Sequence, residues 1–152
     1  MGRRRHRDDD APSASSMTPA VPHTRRLVLL IDDDEVISDS LRQYLVMQGC
    51  DVHVAVDSAS ADLSMRANAY DSIVVDPYLT GAIHGESASL LSSISALQPH
   101  TSTIVLTAYP SPELSRAAAD CHPTALLTKP QSVVYLGELV SAPRFSSKGH
   151  RE

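Results

Sequence analysis

Tryptophan is absent from the chain, phenylalanine occurs once and cysteine twice. Cys50 and Cys121 share no metal-like spacing with each other or with the seven scattered histidines, so a Cys/His zinc site is not supported and both are read as small buried side chains. No apolar run approaches the roughly 18 residues of a spanning helix. The longest early run, Leu27 to Ile31, is cut off by four acids. Arg3, Arg4, Arg5 and Arg7 are followed by no apolar segment, so no secretory or twin-arginine signal is supported and a cytoplasmic location is expected, with no membrane association. The net charge of −5 argues against a general nucleic-acid binder. The arginine cluster runs straight into Asp8, Asp9 and Asp10, which weakens any long-range pull on phosphates, and no direct DNA binding is expected.

What is present suits one folded domain. The 152 residues are 42% apolar and 20% charged, enough for a single hydrophobic core and too few for a second full domain. Residues 1–24 are rich in Arg, Asp, Ser, Ala and Pro and predict a disordered tail. The fold is expected over residues 25–140. The end of the chain, SAPRFSSKGHRE, has neither the length nor the periodicity of another element, so residues 141–152 predict a flexible tail.

Between those limits, short apolar runs alternate with longer amphipathic stretches, the rhythm of strand and helix units around a parallel sheet. Strands are predicted at residues 27–31, 51–56, 72–75, 103–106 and 125–127. Four of them look apolar enough for burial on both faces. The second alternates Val52, Val54 and Val56 with other residues, as a strand nearer an edge does. Ile37, Leu41, Tyr44 and Leu45 share one face of a helix that Gly49 stops, and Leu90, Leu91, Ile94 and Leu97 repeat the pattern in a helix ending before Pro99. Shorter helices are expected after Pro112 and after Gln131.

In open α/β sheets, ligands bind beyond the carboxyl ends of the strands. There the chain places Asp32, Asp33, Asp34 and Glu35, then Asp76, then Thr107 and Ala108, then Lys129 and Pro130. Two carboxylates about 4 Å apart repel by roughly 4 kcal/mol at an effective dielectric near 20. One lysine does not offset three acids, whereas a divalent cation together with Lys129 nearly does. Magnesium, which favours carboxylates, waters and phosphate oxygens, suits such a site. With that charge in place Asp76 can attack phosphorus, and the Thr107 hydroxyl with the Ala108 N–H can donate to the arriving phosphoryl oxygens.

The stretches LVLLIDDDEVI, IVVDP, IVLTAY and LLTKP, in that order, resemble the opening, phosphoacceptor, switch and closing motifs of response-regulator receiver domains. The resemblance implies a doubly wound five-stranded parallel sheet in the flavodoxin-like order 2-1-3-4-5. It implies that Asp32 and Asp33 hold a Mg2+ ion, with Asp33 the direct ligand, and that Asp76 and the backbone carbonyl of Tyr78 share in that coordination. Asp76 would be the phosphorylation site, Thr107 the switch hydroxyl, Ala108 the small residue that admits a phosphate, and Lys129 the partner of the phosphoryl oxygens. The Lys129–Pro130 bond would be cis. The implied function is a stand-alone receiver rather than an enzyme in its own right, phosphorylated by a histidine kinase or histidine phosphotransfer protein and acting on a downstream target protein. Three positions depart from the family pattern: Leu126 stands where an aromatic is usual, Pro77 directly follows the phosphoacceptor, and the loop from Leu79 to Gly85 has unusual glycine spacing.

Two other readings compete. The run LLIDDDEV also fits the opening of a haloacid-dehalogenase-like phosphatase, with Asp32 as nucleophile and Asp34 as acid, but it leaves Asp76 without a role. A phosphorylation-independent adaptor would keep the receiver fold for binding alone, and Leu126 and Pro77 favour it. The acid run also has a bland explanation, since carboxylates at a helix N-terminus offset the macrodipole.

Overall fold

A computed structural model describes residues 25–79 and 86–143. The expectations for both tails, apart from residues 141–143, and for most of the loop after Leu79 lie outside the described residues. Strands and helices alternate: β1 (Leu27–Ile31), α1 (Glu35–Met47), β2 (Asp51–Ala55), α2 (Ser58–Ala67), β3 (Ser72–Val75), α3 (Glu86–Leu97), β4 (Ser102–Thr107), α4 (Pro112–Ala119), β5 (Ala125–Thr128) and α5 (Val133–Ser141). The strands form one parallel sheet in the order β2-β1-β3-β4-β5, as the resemblance implies.

Short polar side chains start the helices. Asp34, Asp57, Ser111 and Ser132 stand in extended conformation and accept from the first free N–H groups of α1, α2, α4 and α5. Past α1, Gly49 adopts φ +94°, a conformation that costs a glycine little.

Alternation along each strand divides the core in two. Leu29, Ile31, Ile73, Val75 and Val105 face α2, α3 and α4, which contribute Met65, Leu91, Ile94 and Leu114. Val28, Leu30, Val74, Ile104 and Leu106 face α1 and α5 over Leu41, Leu45, Leu136 and Val140. Each such side chain is worth roughly 1.5–3 kcal/mol when fully buried. Gly137 of α5 makes room for the Tyr44 ring of α1, which a Cβ there would strike.

One strand expectation needs correction. β5 is not buried on both faces: it is an edge strand, and Leu126 is 40% exposed while Leu127 faces the α1/α5 core. β2 is the other edge, as its alternation predicts, with Ala55 fully buried and Val54 and Val56 39% and 49% exposed. An edge strand has one neighbour and a helix covers only part of its faces, so apolar content alone overstates burial there. Cys50 is buried as expected, Cys121 is only partly so, and neither is in a disulfide.

Candidate functional site

Register brings the charged residues together. Ile31 pairs with Val75, so Asp32 and Asp76 leave adjacent strands side by side, and the Asp76 N–H donates to the Ile31 carbonyl at 2.8 Å. Thr107 pairs with Thr128, and Lys129 follows. The Lys129 ammonium donates to Asp32 Oδ2 at 2.9 Å and to Asp76 Oδ2 at 2.8 Å. Asp32 and Asp76 are only 7% and 8% exposed, so this bridged pair is shielded from water.

The remaining carboxylate oxygens are held by backbone. Asp32 Oδ1 accepts from the Asp34 N–H at 2.9 Å, and Asp76 Oδ1 accepts from the Tyr78 N–H at 2.9 Å. Beneath them lies an apolar floor that includes Leu30, Leu41, Val74 and Leu106. Burial over that floor pushes the Asp76 carboxyl above the ordinary carboxylate range, although the hydrogen bonds from Lys129 and Tyr78 oppose the rise. Burial also pulls the Lys129 ammonium down, but the hydrogen bonds and charges of Asp32 and Asp76 outweigh it and leave the lysine more strongly protonated than usual.

The acid run divides by role. Asp32 enters the buried trio, whereas Asp34 is exposed and caps α1 through bonds from the Val36 and Ile37 N–H groups at 3.1 and 3.3 Å. The bland reading is therefore right for Asp34, and the acid role that the phosphatase reading needs is taken from it. Asp33 is partly exposed, and among the described residues no group of three or more His, Cys, Asp or Glu side chains is arranged to hold a metal. The donor chemistry still fits a divalent cation: two buried carboxylates share one ammonium, which leaves the trio one negative charge out of balance. Magnesium commonly binds through one or two carboxylates with phosphate oxygens beside them.

Thr107 sits at the same rim but turns elsewhere. It is 1% exposed, and its hydroxyl accepts from the Tyr109 N–H at 2.9 Å. Alternation explains this, since Thr107 has the parity of Val105, which faces α2 to α4, while Asp32, Asp76 and Lys129 have the parity of Leu30, Val74 and Leu127, which face α1 and α5. Ala108 is exposed at the rim. The Lys129–Pro130 bond is cis.

Residues 28–141 match the response regulator receiver domain. The chain belongs to this family. A phosphorylated response regulator from Burkholderia pseudomallei, solved with calcium and citrate, shares 28% identity at a TM-score of 0.68, over 76% of this chain and 66% of that one. A CheY-like receiver domain from Methanospirillum hungatei JF-1 shares 26% identity at a TM-score of 0.70, over 76% of this chain and 90% of that one. The transcription factor SKN7 of Candida albicans is 37% identical over 73 residues, which are 46% of this chain and 13% of that protein. Family membership displaces the phosphatase reading. No helix among the described residues is long and apolar enough to cross a membrane.

Sequence reasoning missed the neighbours of Tyr78. Its ring meets Tyr109 edge-on at 6.2 Å between centroids, and its hydroxyl lies 3.4 Å from Ser111 Oγ. Nothing in residue spacing signals a contact across 33 positions.

Proposed function

We propose that this receiver is a cytoplasmic switch that accepts a phosphoryl group on Asp76 from a histidine kinase or histidine phosphotransfer protein. The observation that carries the reading is the bridging of Asp32 and Asp76 by Lys129 on the buried rim. A carboxylate with an ammonium at 2.8 Å and an apolar floor is a poorly solvated nucleophile, ready to exchange its lysine contact for a shared one with phosphoryl oxygens. Asp32, Asp33, Asp76 and the Tyr78 carbonyl would hold Mg2+, whose charge offsets that of the transferring group. Thr107 and the Ala108 N–H then donate to the phosphoryl oxygens, which requires the Thr107 hydroxyl to leave the Tyr109 N–H. Such a module turns over no external substrate beyond its own phosphorylation and hydrolysis. It passes its signal to a partner protein by docking or by onward transfer to a histidine.

Acetyl phosphate with Mg2+ followed by mass spectrometry tests the reading. The wild-type chain should gain one phosphoryl group located at Asp76, and Asp76→Asn should gain none. A wild-type chain that stays unmodified, with beryllofluoride also failing to shift Thr107 and Ala108, would leave the phosphorylation-independent adaptor in its place.

A further inference from the structure

We propose that Tyr78 is a positioning residue that carries the state of the Asp76 carboxylate to the start of α4. The inference rests on the phosphoacceptor reading above. Three contacts from separate parts of Tyr78 support it. Its backbone N–H holds Asp76 Oδ1 at 2.9 Å, its ring meets Tyr109 at an interplanar angle of 83°, and its hydroxyl lies 3.4 Å from Ser111 Oγ.

Ser111 is the N-cap of α4, and its Oγ accepts from the Leu114 N–H at 3.0 Å. The helix has only eight residues, a length at which its first turn depends heavily on the cap and on packing. Tyr109 is tied to the site by a second route, since its N–H donates to Thr107 Oγ1 at 2.9 Å. The two tyrosine rings are therefore the place where the strand β3 and strand β4 ends meet, with Tyr109 two residues before the α4 cap. On the other side, Ser87 of α3 donates to the Pro77 carbonyl at 3.1 Å, which steadies the peptide just before Tyr78.

Phosphorylation changes what Tyr78 holds. An Asp76 oxygen forms a bond to phosphorus while the P–N bond of the donor phosphohistidine breaks, the imidazole nitrogen keeping the electron pair. The formal charge then resides on the phosphoryl oxygens, and both former carboxylate oxygens become weaker acceptors, one an ester oxygen and the other a neutral carbonyl. The Tyr78 N–H loses its charged partner. At the same time Thr107 is drawn away from the Tyr109 N–H, so both rings are released from their backbone anchors together. The contact of the Tyr78 hydroxyl with Ser111 passes that release to α4.

The test uses the full chain labelled with 15N, Mg2+ and beryllofluoride as the stand-in for the phosphoryl group. In the wild type, amide signals should move at Thr107 and Ala108 and also at Leu114, Ser115 and Arg116. Tyr78→Phe keeps the N–H, the carbonyl and the ring but removes the hydroxyl; Leu114 to Arg116 should lose most of their displacement while Thr107 and Ala108 keep theirs. Tyr109→Leu, which removes the ring contact from the other side, should have the same selective effect. A purely structural role would alter the resting spectrum without changing the ratio of α4 to Thr107 displacement. Full-sized α4 displacements in both variants overturn the proposal, as does a wild type whose Thr107 moves while α4 stays silent. Silence at Thr107 and Ala108 as well would bring down the phosphoacceptor reading and this inference with it.

Discussion

The sheet carries a buried polar cluster at each end, and the two are built on different principles. At the end where β3 and β4 begin, Gln98 is 6% exposed; its Nε2 donates to the Met65 and Asn68 carbonyls at 2.8 Å, and its Oε1 accepts from the Tyr70 N–H at 2.9 Å. The Thr101 hydroxyl donates to the Tyr70 carbonyl at 2.7 Å, and the Tyr70 hydroxyl meets His53 Nδ1 at 2.7 Å. Every bond there joins amides, hydroxyls and an imidazole, and the cluster is complete as it stands. At the opposite rim, Asp32 and Asp76 are equally well hydrogen-bonded, yet their charge exceeds what Lys129 supplies. The two ends thus differ in charge balance rather than in hydrogen-bond saturation, and on the proposed function the unbalanced end is the one that takes a ligand.

Removing the shared cation should break this contrast most severely. Lys129→Met leaves two buried carboxylates facing each other, and we expect a loss of about 3 kcal/mol in urea unfolding at neutral pH, in the range for breaking a buried pair, together with loss of phosphoryl uptake. An unfolding midpoint equal to that of the wild type would show that the rim carboxylates are solvated after all. Gln98→Leu tests the neutral end. It orphans the Tyr70 N–H and two carbonyls, with an expected cost of about 2 kcal/mol, but phosphoryl uptake from acetyl phosphate by the folded fraction should be unchanged. Impaired uptake would mean that the two ends are coupled.

The smallest effect sharpens the comparison through pH. Burial raises the Tyr70 hydroxyl above the ordinary tyrosine value, against weaker opposing bonds from Ser64 and Asn68. The folded chain therefore keeps this proton at pH values where the unfolded chain has released it. Stability falls as pH rises from the ordinary tyrosine value, about 10, toward the raised one. Tyr70→Phe should cost about 1 kcal/mol at neutral pH through the lost bonds, and its deficit relative to wild type should shrink as pH rises above about 10 toward the raised value. A constant deficit across that range would show that Tyr70 ionises as freely in the folded chain as in the unfolded one.

Much of this molecule can be read along the chain, and the unread parts share a cause. The β1 and β3 runs are continuous and apolar because both strands are interior, so their limits agree with the expected ones. α2 was not identified beforehand, since SASADLSMRA offers only Ala61 and Met65 to the core and no long apolar stripe. Gln98 looks like an ordinary polar residue at a helix end; what makes it a hub is that the Met65, Asn68 and Tyr70 backbones converge on it. Asp32 and Asp34 are indistinguishable by type, and only the direction of each side chain separates the site residue from the helix cap.

Local chemistry and pattern, carried in the residue order, determined the alternating elements, the caps and the set of charged groups that end the strands. Tertiary structure alone decided which of those groups meet. Parallel register sets Asp32 beside Asp76, strand parity sends Lys129 to their face and Thr107 to the other, and edge position exposes Leu126. The physical reason is that pleat and pairing act between segments distant in sequence, where a shift of one residue reverses every side chain's face.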